Sequence, residues 1–142
     1  MALSEGILDW LADRHEGVLI TLRSDRSPQS SNIGFAVQDG VALVSVTDDR
    51  AKTRNLRRDP RALLHVTGDS FWVYASIRVK ADVGPVTTES GDAVGQELLQ
   101  LYERVAGKPH PDSQEFFEAM VTEKRLVLRL ELLSVVGQGL PD

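Results

Sequence analysis

Short alternating apolar runs, each cut off by a turn sequence, set the tightest limit on what this chain can fold into. In Gly17–Ser24, Val18, Ile20 and Leu22 fall on one side of an extended chain and Leu19, Thr21 and Arg23 on the other, the two-residue period of a strand. Asp25-Arg26-Ser27-Pro28 reads as a turn, a second strand runs through Val37, and Gln38-Asp39-Gly40 turns the chain into a third strand, Val41–Thr47. Ala62–Thr67 and Phe71–Val83, separated by Gly68-Asp69-Ser70, are the fourth and fifth strands, and Arg125–Val136 is the last. Helical spacing is confined to the margins. Ser4 caps a helix over residues 5–14, with Leu3 and Leu8 as a hydrophobic staple and Ile7, Leu8 and Leu11 facing inward. Val94, Leu98, Leu101, Tyr102 and Val105 space a helix over residues 88–106 that Gly107 and Pro109 stop, and Ser113–Met120 forms a short one. Six strands in mostly antiparallel order with peripheral helices predict a mainly β protein, a small barrel.

A length of 142 residues suits one domain spanning residues 1–142, with enough chain to bury one core. With no cysteine, disulfides, zinc–thiolate sites and thiol nucleophiles are excluded. The start, MALSEGILDW, lacks the basic end and apolar run of a signal peptide. Nothing approaches the roughly 18 apolar residues of a membrane span. A cytoplasmic protein without a membrane partner is expected.

The net charge of -5 is unevenly spread. Residues 50–61, RAKTRNLRRDPR, hold six bases and one acid, a local +5, so the remainder sums to -10. One basic patch on an acidic chain suits a compact anionic ligand better than a nucleic acid. The patch reads as a short helix that Pro60 ends. It follows a strand directly, so Arg50 and Lys52 stand at the strand-to-helix junction beside free N–H groups, a ready anion site. The same residues read equally well as a solvated amphipathic helix with Leu56 buried.

Two strands carry further candidates. Alternation in the fifth puts Phe71, Val73, Ala75, Ile77, Val79 and Ala81 in the core and Trp72, Tyr74, Ser76, Arg78 and Lys80 outside. Two aromatics on the outer face call for cover by a planar ligand, a second subunit, or both. On the second strand Ser31, Ile33, Phe35 and Val37 form the apolar side, leaving Ser30, Asn32 and Gly34 opposite. Asn32 can donate and accept at a heterocycle edge, and Gly34 lets a ring approach the backbone. The alternative is an exposed polar strand face. His15, His65 and His110 show no metal-ligand spacing, and no metal site is expected. Asp48 and Asp49 suit the helix dipole or an arginine. No nucleophile elbow, phosphate loop or dinucleotide fingerprint is present, so an enzyme here would lean on a cofactor.

These residues resemble the family related to pyridoxamine 5'-phosphate oxidase, and within it the actinobacterial branch that uses the deazaflavin coenzyme F420. The run Arg50–Arg61 carries the resemblance, supported by Pro28-Gln29-Ser30-Ser31-Asn32, Trp72-Val73-Tyr74-Ala75 and Ala119-Met120-Val121-Thr122, which together span nearly the whole chain. The resemblance implies a six-stranded antiparallel split β-barrel of Greek-key type that forms a homodimer with two cofactor grooves between subunits. It implies cofactor-binding roles for Ser31, Asn32, Arg50, Lys52, Thr53, Trp72 and Tyr74. Arg50 and Lys52 would hold the phosphate and acidic tail, Asn32 and nearby Ser31 would meet the ring, and Trp72 and Tyr74 would line the groove, from the partner subunit in one arrangement. Two departures bear on substrate and proton donor: Arg78-Val79 stands where many relatives have Glu-Gly, and Ser24 where some have histidine.

The expected activity is hydride transfer from reduced F420 to an electron-poor C=C or C=N bond of a small organic substrate, with Tyr74 or solvent as proton source. The alternatives are an FMN-binding oxidase or reductase, and a carrier that binds F420 or a flavin without turnover.

Overall fold

Local chemistry fixes the turns. Asp39 and Gly40, at φ 53° and 76°, make a two-residue hairpin turn whose twist matches its strands. Between the first two strands, Asp25 Oδ1 accepts hydrogen bonds from the Ser27 N–H and hydroxyl at 2.9 and 2.6 Å, with Arg26 at φ 70°. The computed structural model describes residues 2–142. Along it run α1 (Glu5–Ala12), β1 (Glu16–Leu22), β2 (Pro28–Gly34), β3 (Ala36–Gln38), β4 (Val41–Thr47), α2 (Ala51–Arg58), β5 (Arg61–Thr67), β6 (Tyr74–Val83), α3 (Ala93–Ala106), α4 (Ser113–Thr122) and β7 (Arg125–Gln138).

The strands form one antiparallel sheet in the order β2-β1-β5-β6-β7-β4-β3. The connection from β4 to β5 skips β6 and β7, and α2 makes that crossing. The sheet curls until β2 approaches β4 without a ladder between them. The expected split barrel is therefore present. Leu19, Phe35, Val46, Leu64, Ile77 and Leu128 are among the side chains that fill its interior. A second cluster lies outside the barrel wall, where Leu98 of α3 and Phe116, Phe117 and Met120 of α4 cover Val127 of β7. At this point β7 is buried on both faces, which accounts for its nearly continuous apolar start, Leu126-Val127-Leu128. No helix among the described residues is long and apolar enough to cross a membrane.

The caps agree with the sequence. Ser4 Oγ accepts from the Ile7 N–H, Ile7 and Leu11 are buried, and Gly107 ends α3 at φ 73°. Three expectations need correction. The strand expected to run through Val37 breaks at Phe35, because Ala36 and Val37 are both buried and pair with β4 rather than β1; seven strands result instead of six. The strand expected from Phe71 begins at Tyr74. The Gly68 N–H bonds to the Val73 carbonyl and the Val73 N–H to the Ser70 carbonyl, so residues 68–73 are spent on the turn. Phe71, expected in the core, is 75% exposed. The helix expected from residue 88 starts at Ala93, because Asp92 gathers Thr87 Oγ1 and the N–H groups of Thr88, Glu89 and Gly95. Those bonds hold the Asp92 carboxyl well below its ordinary value, the Thr87 hydroxyl contributing most.

Helix α2 is tied to the barrel by polar contacts as well as by Leu56. Asn55 Nδ2, buried, donates to Thr21 Oγ1 at 3.1 Å and to Gln29 Oε1 at 2.9 Å, linking the helix to β1 and β2. Asn55→Ala removes both bonds and leaves Thr21, also buried, without that donor. Its expected cost is about 1–3 kcal/mol of stability, read as a lower urea midpoint at unchanged slope.

Candidate functional site

Helix α2 opens where β4 ends. Arg50 is its N-cap residue but makes no side-chain capping bond, so the first-turn N–H groups face outward without an acceptor from it. The Thr53 hydroxyl points the other way, donating to the Thr47 carbonyl at 2.8 Å. That bond fixes the helix start against the strand end.

The cations of the basic run then divide into two sets. Arg57 pairs with Asp48 at 2.6 Å and Arg61 with Asp59 at 2.7 Å. Among the described residues, Arg50, Lys52, Arg54 and Arg58 form no ion pair, and of these four only Lys52 is half-buried rather than exposed. Burial, followed by the nearby Arg50 and Arg125 guanidiniums, holds the Lys52 ammonium below its ordinary value. Arg125, at the start of β7 opposite Thr47, completes the corner. It bonds to Glu123 at 3.0 Å and donates through Nη1 to Ser45 Oγ at 3.3 Å. Three positive groups thus crowd together with one carboxylate, Glu123, bonded among them. A groove of about 590 Å³ passes between Asp48, Asp49 and Arg50 on one side and Thr122–Arg125 on the other.

At Glu123 and Arg125 this groove adjoins a more apolar cavity of about 470 Å³. Gly34 of β2 and Ser45 of β4 line its strand side, where the barrel is split, and Leu98, Leu101, Phe116 and Met120 line its helix side. Charged corner and cavity are thus neighbours that share the Glu123 and Arg125 side chains.

The sequence-predicted residues fall in different parts of this layout. Arg50 and Lys52 are at the charged corner. Thr53 is buried with its hydroxyl spent on Thr47, which leaves only its main chain near the groove. Asn32 is exposed on the outer side of β2, the same side as Gly34, while Ser31 is half-buried on the inner side. Tyr74 lies three strands from Asn32, with its ring 5.4 Å from that of His65, and Trp72 is 68% exposed in the 68–73 turn against Phe71. Within one chain, therefore, neither aromatic joins the charged corner. Tyr74 is opposite Gln138 and Arg125 is opposite Thr47, at the two ends of β7.

Sequence reasoning did not bring Ser45, Arg125 and His110 to this site, although all three line the cavity. Arg125 was legible as a cation on the first residue of a strand. Only the β4–β7 pairing, distant in sequence, brings it beside Lys52. Among the described residues no group of three potential metal ligands gathers.

Comparison with known proteins agrees with this architecture. A curated protein named F420H(2)-dependent biliverdin reductase, from Mycobacterium tuberculosis (strain CDC 1551 / Oshkosh), is 27% identical over 142 residues, covering 96% of this chain and 89% of its own. Among solved structures, one titled F420 reductase superposes with a TM-score of 0.70 at 24% identity, covering 94% of this chain and 98% of the other. A conserved hypothetical protein of Mycobacterium tuberculosis reaches a TM-score of 0.74, also at 24% identity, over 100% of this chain and 91% of its own. The family described as pyridoxamine 5'-phosphate oxidase matches residues 3–134, and the chain belongs to it.

Proposed function

We propose that this protein is an F420-dependent oxidoreductase that acts as a homodimer on an electron-poor C=C or C=N bond of a small organic substrate. The carrying observation is the gathering of Arg50, Lys52 and Arg125 at an open helix N-terminus, where burial first and the two guanidiniums second depress the lysine. Glu123 answers Arg125 there, while Arg50 and Lys52 form no ion pair among the described residues. F420 carries a phosphodiester and several glutamates, and this extended anionic tail suits cations spread along a groove better than the single phosphate of FMN does. The relative named as an F420H(2)-dependent reductase, aligned over nearly the whole chain, supports the same cofactor.

On this reading Arg50 and Lys52 bind the phosphate with the first-turn N–H groups of α2, among them that of Thr53, and Arg125, bonded to Glu123, borders the site from the strand side. Bound there, the reduced deazaflavin supplies the hydride. Asn32, with Ser31 behind it, meets the ring edge along the split. Trp72 and Tyr74 reach the groove only from a second subunit, where they cover the ring and exclude water, with Tyr74 or solvent as proton source. The second subunit also has a surface to occupy. Register places Val18, Ile20, Leu63, His65 and Val136 on one outer face of the sheet; Val136 is exposed and the others are only half-buried.

Titration with F420 and with FMN is expected to show tighter F420 binding, and Lys52→Ala to weaken it by about 1–3 kcal/mol. Tighter FMN binding would replace the cofactor assignment. Because the folded-state pKa of Lys52 lies below its unfolded value of 10.5, the charged lysine destabilises the unliganded fold at neutral pH, and this penalty disappears as pH rises through that window. Lys52→Met should therefore raise Tm at pH 7, with the advantage shrinking toward pH 10.5. Ile20→Asp should give a monomer by light scattering and lower F420 affinity although Arg50 and Lys52 are untouched.

A further inference from the structure

The α3–α4 connection, residues 107–112, carries a side chain held more firmly than the barrel requires. The His110 ring lies edge-on to Tyr102 and Phe116, with centroids 5.1 and 5.3 Å away. Its backbone N–H donates to Glu103 Oε2 at 3.1 Å, and its Nδ1 accepts the Asp112 N–H at 3.0 Å. A nitrogen that accepts an N–H carries no proton of its own, so the neutral ring bears its hydrogen on Nε2. Position and tautomer are both set, and Nε2–H has no partner among the described residues.

His110 lines the 470 Å³ cavity. Gly34 lines it too, and a Cβ there would meet only Val105 Cγ1 at 3.5 Å and the His15 carbonyl oxygen at 3.6 Å. Packing within the chain thus does not require glycine at this position; its missing side chain leaves the cavity roomier. The cavity walls are largely apolar, and its acidic residues, Glu115 and Glu123, oppose an anionic occupant while Arg125 is engaged by Glu123. A cofactor's anionic tail belongs at the cationic corner next door.

We propose that this cavity is the electron-acceptor pocket and selects neutral, planar, conjugated carbonyl compounds whose oxygen takes a hydrogen bond from His110 Nε2–H. The inference rests on the proposed hydride-transfer reading for its chemistry, since a hydrogen bond at that oxygen draws electron density from the conjugated C=C bond. His110 is then a substrate-binding and polarising residue.

The test is equilibrium binding of 4-phenyl-3-buten-2-one and of 1-phenyl-1-butene, which lacks the carbonyl, to the full chain. His110→Asn keeps an acceptor near the Nδ1 position and removes Nε2; it should weaken the ketone about fivefold, as for one neutral hydrogen bond, and leave the hydrocarbon unchanged. His110→Gln, which restores an N–H near Nε2, should recover the ketone preference. Gly34→Val should weaken both ligands by occupying the cavity. Absence of ketone binding by the unsubstituted chain, or equal effects of His110→Asn on both ligands, overturns the assignment. Displacement of the ketone by saturating F420 also overturns it, because the cofactor would then fill the cavity; unchanged or tighter ketone binding supports separate sites. If F420 fails to bind while the His110-dependent ketone preference persists, the pocket stands and the proposed cofactor falls.

Discussion

The hydrogen bond from Thr53 Oγ1 to the Thr47 carbonyl joins the first turn of α2 to the last residue of β4, and the layout of the charged corner follows from it. Helix α2 must carry the chain from β4, near one edge of the sheet, across to β5, beside β1. It does so with Leu56 in the barrel core and Asn55 bonded to β1 and β2. Once Thr53, Asn55 and Leu56 point inward, helical geometry leaves Arg54, Arg57 and Arg58 outward, all of them exposed, and holds Lys52 half-buried near the strand end. The cations are therefore placed by the same contacts that close the barrel.

That placement works against the unliganded fold. Elsewhere in the run, Asp48 takes Arg57, Asp59 takes Arg61, and Arg54 and Arg58 lie exposed. Around Lys52 the nearest influences are burial and two more cations. A structural helix of this composition would gain from an acid beside its N-terminus that also served Lys52; Asp49 instead accepts from the Thr47 hydroxyl. An anion that binds only the folded chain would reverse the penalty by mass action. A half-buried lysine with no ion pair, close to two guanidiniums, is easier to explain as a feature kept for a ligand than as packing.

Sequence reasoning succeeded where the information is local. Val41–Thr47 was read with its observed ends, and Ser4, Gly40 and Gly107 act in caps and turns through their own backbone chemistry. It failed where tertiary contacts override alternation. Ala36 and Val37 are both buried because the chain changes pairing partner at Phe35, and Phe71 looks like core until the Gly68–Val73 hydrogen bond turns it outward. The site was legible in the same proportion. Arg50 and Lys52 stand out as local charge, whereas Ser45, Arg125 and His110 gain meaning only through a β4–β7 ladder and a helix pair that bring distant segments together. Arg78-Val79, read as a departure from the family pattern, falls on the β6–β7 bulge, so its effect depends on a register that no local pattern reveals.

The position of the aromatics bears on how the proposed site would be completed. Asn32 and Tyr74 share one outer face of the sheet but are separated by β1 and β5. At about 4.8 Å per strand spacing that is roughly 14 Å, farther than one side chain spans, and the curvature of the barrel turns the two away from each other. The charged corner lies beyond Asn32, toward β4. By the other route β6 is two strands from β4, but Tyr74 and Thr47 pair with opposite ends of β7, which keeps Trp72 and Tyr74 away from Lys52 within one chain. A symmetric pair can bring them together, because in an isologous dimer the Trp72–Tyr74 end of one copy's β6 can face the other's split. The half-buried apolar residues between those two regions, Val18, Ile20 and Leu63, lie where such a contact would form. On the proposed reading, cofactor binding and dimerisation are then coupled: a monomer would grip the anionic tail but leave the ring open to water.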